Sequence, residues 1–159
     1  EEFEQIKSHT VTGYKLLRMH PIDEKIKRTV ILHHERMDGS GYPYGFDKEE
    51  IDYFSRCISI IDTYEAMAAP RAHRLSIPPL NILAYFEDSL SQFDVEILMP
   101  IMKRIANAQI GTSVQLNDES IWEVFILNNN RLSRPILRND KSETLDLLMR
   151  PDLTIEKVL

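Results

Sequence analysis

His33-His34-Glu35-Arg36-Met37-Asp38-Gly39-Ser40-Gly41-Tyr42-Pro43 places two imidazoles directly before a glycine-rich loop. Three of the chain's five glycines fall between 39 and 45, with Pro43 among them. Glycine reaches backbone conformations closed to other residues and lets two backbones approach closely, so this loop has demanding geometry. Upstream, Asp23 is placed to cap a helix whose apolar positions are Ile26, Val30, Ile31 and His34. Adjacent histidines on a helix point about 100° apart, so His33 and His34 share a cavity only if it lies across their common edge. Spacing alone favours a polar surface feature.

Further out, the pattern is helical on both sides. Val11, Tyr14, Leu16 and Leu17 recur at helical spacing after His9, and Pro21 ends that run. A helix is expected from about Ile51 to Met67. Its apolar residues Phe54, Cys57, Ile58, Ile60, Ile61 and Tyr64 leave few polar positions, which predicts a central, well-buried element. Pro78-Pro79 opens another helix through about Leu90, and residues 94–107 give one more. After Gly111 the period changes. Ser113–Leu116 and Ile121–Ile126 have strand-like content around a turn cluster at 117–120, and Pro135-Ile136-Leu137 is a candidate third strand. The end, Leu153 to Leu159, is expected to form one helical turn capped by Asp152 or Thr154. The expected fold is therefore mainly α: a helical bundle over residues 1–110 with a small β appendage over 111–159.

Composition narrows the function. The chain has 159 residues, 43% of them hydrophobic, enough to bury a core. Its formal charge of −6 argues against a broad electrostatic grip on DNA. A small phosphate ligand held by local cations or metal remains compatible with it. The single cysteine, Cys57, excludes an internal disulfide and a cysteine-based zinc site, and its apolar setting predicts a buried small hydrophobe. There is no apolar window of membrane-spanning length and no signal peptide at the start, so a cytoplasmic location is expected.

His9, His33, His34 and Asp62 carry the chemistry. Three neutral imidazoles and a carboxylate suit a borderline divalent metal such as iron, manganese or zinc. The string from His33 to Pro43 closely resembles the signature H-H-E-x-x-D-G-x-G-Y-P of the HD-GYP family of bacterial cyclic di-GMP phosphodiesterases, with every specified position matched. His9-Thr10-Val11-Thr12-Gly13 is similar to the family's H-x-x-x-G. Asp62-Thr63-Tyr64-Glu65-Ala66 is similar to its D-x-Y-D-A, and Arg71-Ala72-His73-Arg74 to its R-P-Y-R. The likeness covers about residues 5 to 140. Glu65, Ala72, His73 and the segment Gly45-Phe46-Asp47-Lys48 depart from the family pattern, and no His-Asp dipeptide occurs.

The resemblance implies a helical fold of the HD-domain superfamily type and two or three divalent transition metals, iron or manganese first, with zinc or nickel as alternatives. It implies hydrolysis of cyclic di-GMP to linear pGpG or to GMP. His9, His33 and His34 would share one ion, and Asp62 would ligate its neighbour. Arg71 and Arg74 would contact phosphate or guanine, beside Tyr42 and Pro43 at the site entrance. Asp38, Gly39 and Gly41 would shape the loop. Glu35 reads either as a partner orienting a histidine or as a surface ion pair with a cation such as Arg28. Because only eight residues precede His9, the isolated chain is expected to lack the bridging carboxylate and a lysine, and so to be inactive. The alternative is a non-catalytic module that binds cyclic di-GMP, or docks signalling partners such as diguanylate cyclase domains through the Gly-Tyr-Pro loop. Apolar faces left uncovered by such a truncation would also favour a homodimer.

Overall fold

The computed structural model describes residues 2–70 and 76–159, with side chains from Gln5 onward. Among the described residues, five α-helices come first: α1 (Glu2–Leu17), α2 (Glu24–Leu32), α3 (Tyr53–Ala68), α4 (Pro79–Asp88) and α5 (Val95–Asn107). Five strands follow: β1 (Ser113–Leu116), β2 (Ile121–Ile126), β3 (Ile136–Arg138), β4 (Thr144–Asp146) and β5 (Ile155–Val158). The fold is mainly α with a small carboxyl-terminal antiparallel sheet, as the sequence led us to expect.

Contacts divide the chain into two compact units, residues 1–63 with 90–98, and residues 64–89 with 99–159. In the first, α1 packs on α2. Gly13 makes room for this packing: a β-carbon there would lie 2.9 Å from Val30 Cγ1. Asp23 caps α2 by accepting the Lys25 backbone N–H at 2.8 Å. Lys27 is buried, and its ammonium bonds the Arg18 carbonyl just beyond the end of α1 and pairs with Glu24. That charge satisfies a carbonyl left open by the helix end. Ile31, Leu32, Ile51, Ile60 and Phe93 form the apolar interior.

Three expectations are corrected in this unit. The second helix stops at Leu32, so His33 is its carboxyl cap and His34 stands beyond it. The helix α3 is not well buried. Phe54, Ile58 and Ile61 are 51%, 41% and 53% exposed, whereas Ser55, Ser59 and Ile60 are buried. The inward face is the narrow one. Ser55 Oγ and Ser59 Oγ satisfy themselves locally, on Asp52 Oδ2 and the Arg56 carbonyl. Cys57 is only half-buried.

In the second unit the sheet order is β4-β3-β2-β1-β5, all neighbours antiparallel. Val114, Leu116, Val124, Leu137 and Ile155 point to a dry interior. Trp122 lies opposite Val114 and donates its indole N–H to Ser120 Oγ at 2.8 Å. The expected helical turn at the carboxyl end is instead the edge strand β5. Asn117 latches it: its backbone N–H donates to the Thr154 carbonyl, its side-chain oxygen accepts the Thr154 N–H, and its side-chain amide donates to the Asp152 carbonyl. The strand β4 was not foreseen. Arg131 pairs with Glu87 and Asp88, Arg134 bonds the Leu153 and Arg150 carbonyls, and Arg138 pairs with Glu123 over the Phe125 ring.

Candidate metal centre

Two helices bring three imidazoles together. His9 projects from α1, and His33 and His34 from the end of α2. One nitrogen from each of the three lies within 4.8 Å of the others. Ring centroids are 5.4 Å apart for His9 and His33, 5.0 Å for His9 and His34, and 4.1 Å for His33 and His34. Ending the helix before His34 is what lets neighbouring histidines converge.

Hydrogen bonds assign the tautomers. His9 Nδ1 lies 2.6 Å from the Ile6 carbonyl, and His33 Nδ1 lies 2.9 Å from that of Val30 and 3.2 Å from that of Thr29. A carbonyl can only accept, so both Nδ1 atoms carry protons. In a neutral ring so held, Nε2 is left with the lone pair, and the two Nε2 atoms are 3.4 Å apart. Two lone pairs facing at that distance repel unless a cation sits between or beside them. Burial, the largest influence, holds His33 below its ordinary pKa despite the opposing pull of Asp62. Burial and the neighbouring His33 bring His34 down to about 4. Both rings are therefore neutral donors near pH 7. The donor set fits a borderline divalent ion.

Asp62, on α3, stands at the edge of this cluster, with Oδ2 3.8 Å from His34 Nδ1. It offers an oxygen donor next to the three nitrogens. Tyr42 stacks on His34, ring centroids 4.7 Å apart and 26° from parallel. Pro43 follows it through a cis peptide bond.

The loop between His34 and Phe46 is held from inside. Glu35 is 1% exposed, and its two oxygens accept the backbone N–H groups of Tyr44 at 2.7 Å and Phe46 at 3.0 Å. It is neither at the surface nor paired with Arg28, which pairs with Asp52. Asp38 accepts the Ser40 backbone N–H and hydroxyl, an arrangement that holds its carboxyl below the usual range. Gly39 adopts φ +75°, which favours glycine. Gly41 is needed for another reason: a β-carbon there would lie 2.4–2.5 Å from Arg36 N, Glu35 Cα and the His34 carbonyl oxygen.

Arg36 escaped sequence reasoning because the signature leaves its position unspecified. Its guanidinium bonds the carbonyls of Glu35 and His33 and Thr63 Oγ1, and lies over the Phe93 ring. It thereby ties the end of α2 to the residue after Asp62. Arg71 and Arg74, expected to contact substrate, lie outside the described residues.

Imidazoles gathered from two helix ends, with an acid beside them, make a donor set that fits a divalent ion. The family described as HD domain matches residues 1–97, and the chain belongs to it; its glycine-loop signature is that of the HD-GYP branch. A cyclic di-GMP phosphodiesterase of Borreliella burgdorferi is 28% identical over 170 positions, covering 100% of this chain and 45% of that protein. A cyclic di-GMP phosphodiesterase of Pseudomonas aeruginosa is 24% identical over 135 positions, covering 84% of this chain and 33% of its own length. A 3'3'-cGAMP-specific phosphodiesterase of Vibrio cholerae is 30% identical over 106 positions, covering 65% and 23% respectively. The chain thus spans less than half the length of these curated relatives. Among the described residues, no helix is long and apolar enough to cross a membrane.

Proposed function

We propose that this chain forms the metal-binding part of a phosphodiesterase that opens cyclic di-GMP to linear pGpG or onward to GMP. The opposed Nε2 lone pairs of His9 and His33, with His34 and Asp62 beside them, carry this reading. His9, His33 and His34 would hold one ion, and Asp62 would supply an oxygen ligand to a neighbouring ion. Iron or manganese suits this mixture of nitrogen and oxygen donors. Such an ion, when bound, supplies Lewis-acid polarisation of a phosphodiester and lowers the pKa of water toward neutrality.

The remaining roles belong to the protein. The Ile6 and Val30 carbonyls fix two imidazoles with Nε2 available, and Tyr42 sets the plane of the third by stacking. Glu35 and Asp38 hold the loop that carries Tyr42. The relatives' printed activities supply the substrate class, cyclic dinucleotides.

The test measures bound Mn2+ or Fe2+ by elemental analysis after loading, alongside chromatographic conversion of cyclic di-GMP. His33→Ala is expected to lose most bound metal, and Asp62→Asn to lose turnover while keeping the ion on the imidazoles. Wild-type metal content in His33→Ala would overturn the proposed centre. Turnover is read on a metal-loaded phosphodiesterase that contains this chain together with the bridging carboxylate and the lysine; one that leaves cyclic di-GMP intact would overturn the activity, and brisk conversion by these 159 residues alone would overturn the expected inactivity of the isolated chain.

A further inference from the structure

Beside the imidazole cluster lies an open cleft of about 540 Å³, lined by Lys7, Ser8 and Val11 of α1 and by the loop Gly41–Gly45. Its size is that of a small-molecule site. Tyr42 is the wall it shares with the cluster: the ring stacks on His34, and Lys7 Nζ lies 5.7 Å from the same ring's centroid. The row therefore runs from imidazoles, through one aromatic ring, to an ammonium group. In a chain of net charge −6, an anion needs such a local cation to settle.

Resting on the function proposed above, we infer that Lys7 is a substrate-binding residue that takes the second phosphate of the cyclic dinucleotide, the one not being cleaved. A cyclic dinucleotide carries two phosphodiesters in one ring. With one at the imidazole cluster, the other has the cleft beyond the Tyr42 ring, with Lys7 on its wall, to extend into. Lys7 is half-buried on a helix whose partner α2 leads directly into two of the imidazoles, so the backbone positions of both are set by packed elements. The loop opposite is anchored through Glu35, so the cleft keeps its width. A point charge suits this role, because it holds a phosphate without imposing the fork geometry of a guanidinium. A mononucleotide carries one phosphate and cannot occupy both positions, so the contact favours a dinucleotide over GMP.

The experiment compares wild type, Lys7→Ala and Lys7→Arg within a phosphodiesterase that contains this chain, all metal-loaded, with initial rates taken across cyclic di-GMP concentrations and metal content measured on the same samples. We expect Lys7→Ala to raise KM about tenfold, as for loss of one charged hydrogen bond, with kcat within about twofold. Lys7→Arg should recover most of the affinity, and all three proteins should carry equal metal. An unchanged KM in Lys7→Ala overturns the inference while leaving the activity standing. So does a fall in metal content, which would make the lysine structural. If wild type neither turns over nor binds cyclic di-GMP in calorimetry, the function and this inference fall together. If it binds without turnover, a dissociation constant about tenfold weaker in Lys7→Ala supports the lysine contact, and an unchanged one overturns it.

Discussion

Glu35→Gln is the sharpest perturbation of the loop, because it keeps the side chain's shape and changes only charge and one atom. In the native protein each carboxylate oxygen accepts one backbone N–H, at 2.7 Å from Tyr44 and 3.0 Å from Phe46. An amide has a single acceptor oxygen. Whichever way it turns, its NH2 meets a backbone donor, so one buried bond becomes donor against donor. A charged hydrogen bond contributes roughly 1.5–3 kcal/mol, and the surviving bond weakens when its acceptor becomes neutral. Removing a buried charge also removes its desolvation cost, which offsets part of the loss. The net destabilisation should be about 2 kcal/mol, or roughly 4–8 °C in melting temperature for a chain of this length.

The consequence reaches the metal centre through Tyr42, which stacks on His34 and sits in the loop that Glu35 anchors. Loosening that loop should cost about tenfold in metal affinity, the usual scale for groups that orient a ligand. Thermal melts and a chelator competition measure the two effects, with Glu49→Gln, an exposed residue further along the loop, as control. A Glu35→Gln melt within about 1 °C of wild type, as for an ordinary surface change, would refute the assigned anchoring role.

Two more outcomes follow from the geometry. Burial lowers the pKa of His33, and that of His34 to about 4 from an ordinary 6.5, so below pH 6.5 the unfolded chain takes up protons that the folded one refuses. The metal-free protein should lose stability as pH falls from 6.5 toward 4, and His34→Gln should flatten that slope; equal slopes in melting temperature against pH would contradict it. Gly41→Ala puts a methyl group 2.4–2.5 Å from three backbone atoms that cannot swing away, and should cost about 3 kcal/mol or more. A wild-type denaturant midpoint in that variant would show that the loop does not pack as described.

How much was legible depends on where the information sits. Helix starts are local, and Asp23 and Pro78-Pro79 announce two of them correctly. The convergence of His9 with His33 is not local. Twenty-four residues separate them, and only the likeness to a known signature joined them beforehand. Glu35 was misjudged because its partners are backbone amides. Side-chain patterns do not reveal which amides a loop leaves unsatisfied, although a segment with three glycines and few capping side chains needs an internal acceptor. The misreading of α3 has a different cause. Phe54, Ile58 and Ile61 share a face at positions i, i+4 and i+7, which ordinarily means burial. Here the opposite side, built on Ser55 and Ser59, is buried.

The carboxyl-terminal strand shows the limit of periodicity itself. Only Ile155 of β5 is buried, so no alternation exists to be seen in four residues. What makes it a strand is its partner β1 and the three bonds from Asn117. The same reasoning orders the whole site. Elements that satisfy themselves, such as capped helices, can be read from short stretches. Those that depend on a distant partner, such as the imidazole cluster, the Glu35-held loop and the latched edge strand, cannot. The proposed metal centre is of the second kind, because a cation needs ligands from several directions, and a single helix offers them only from one side.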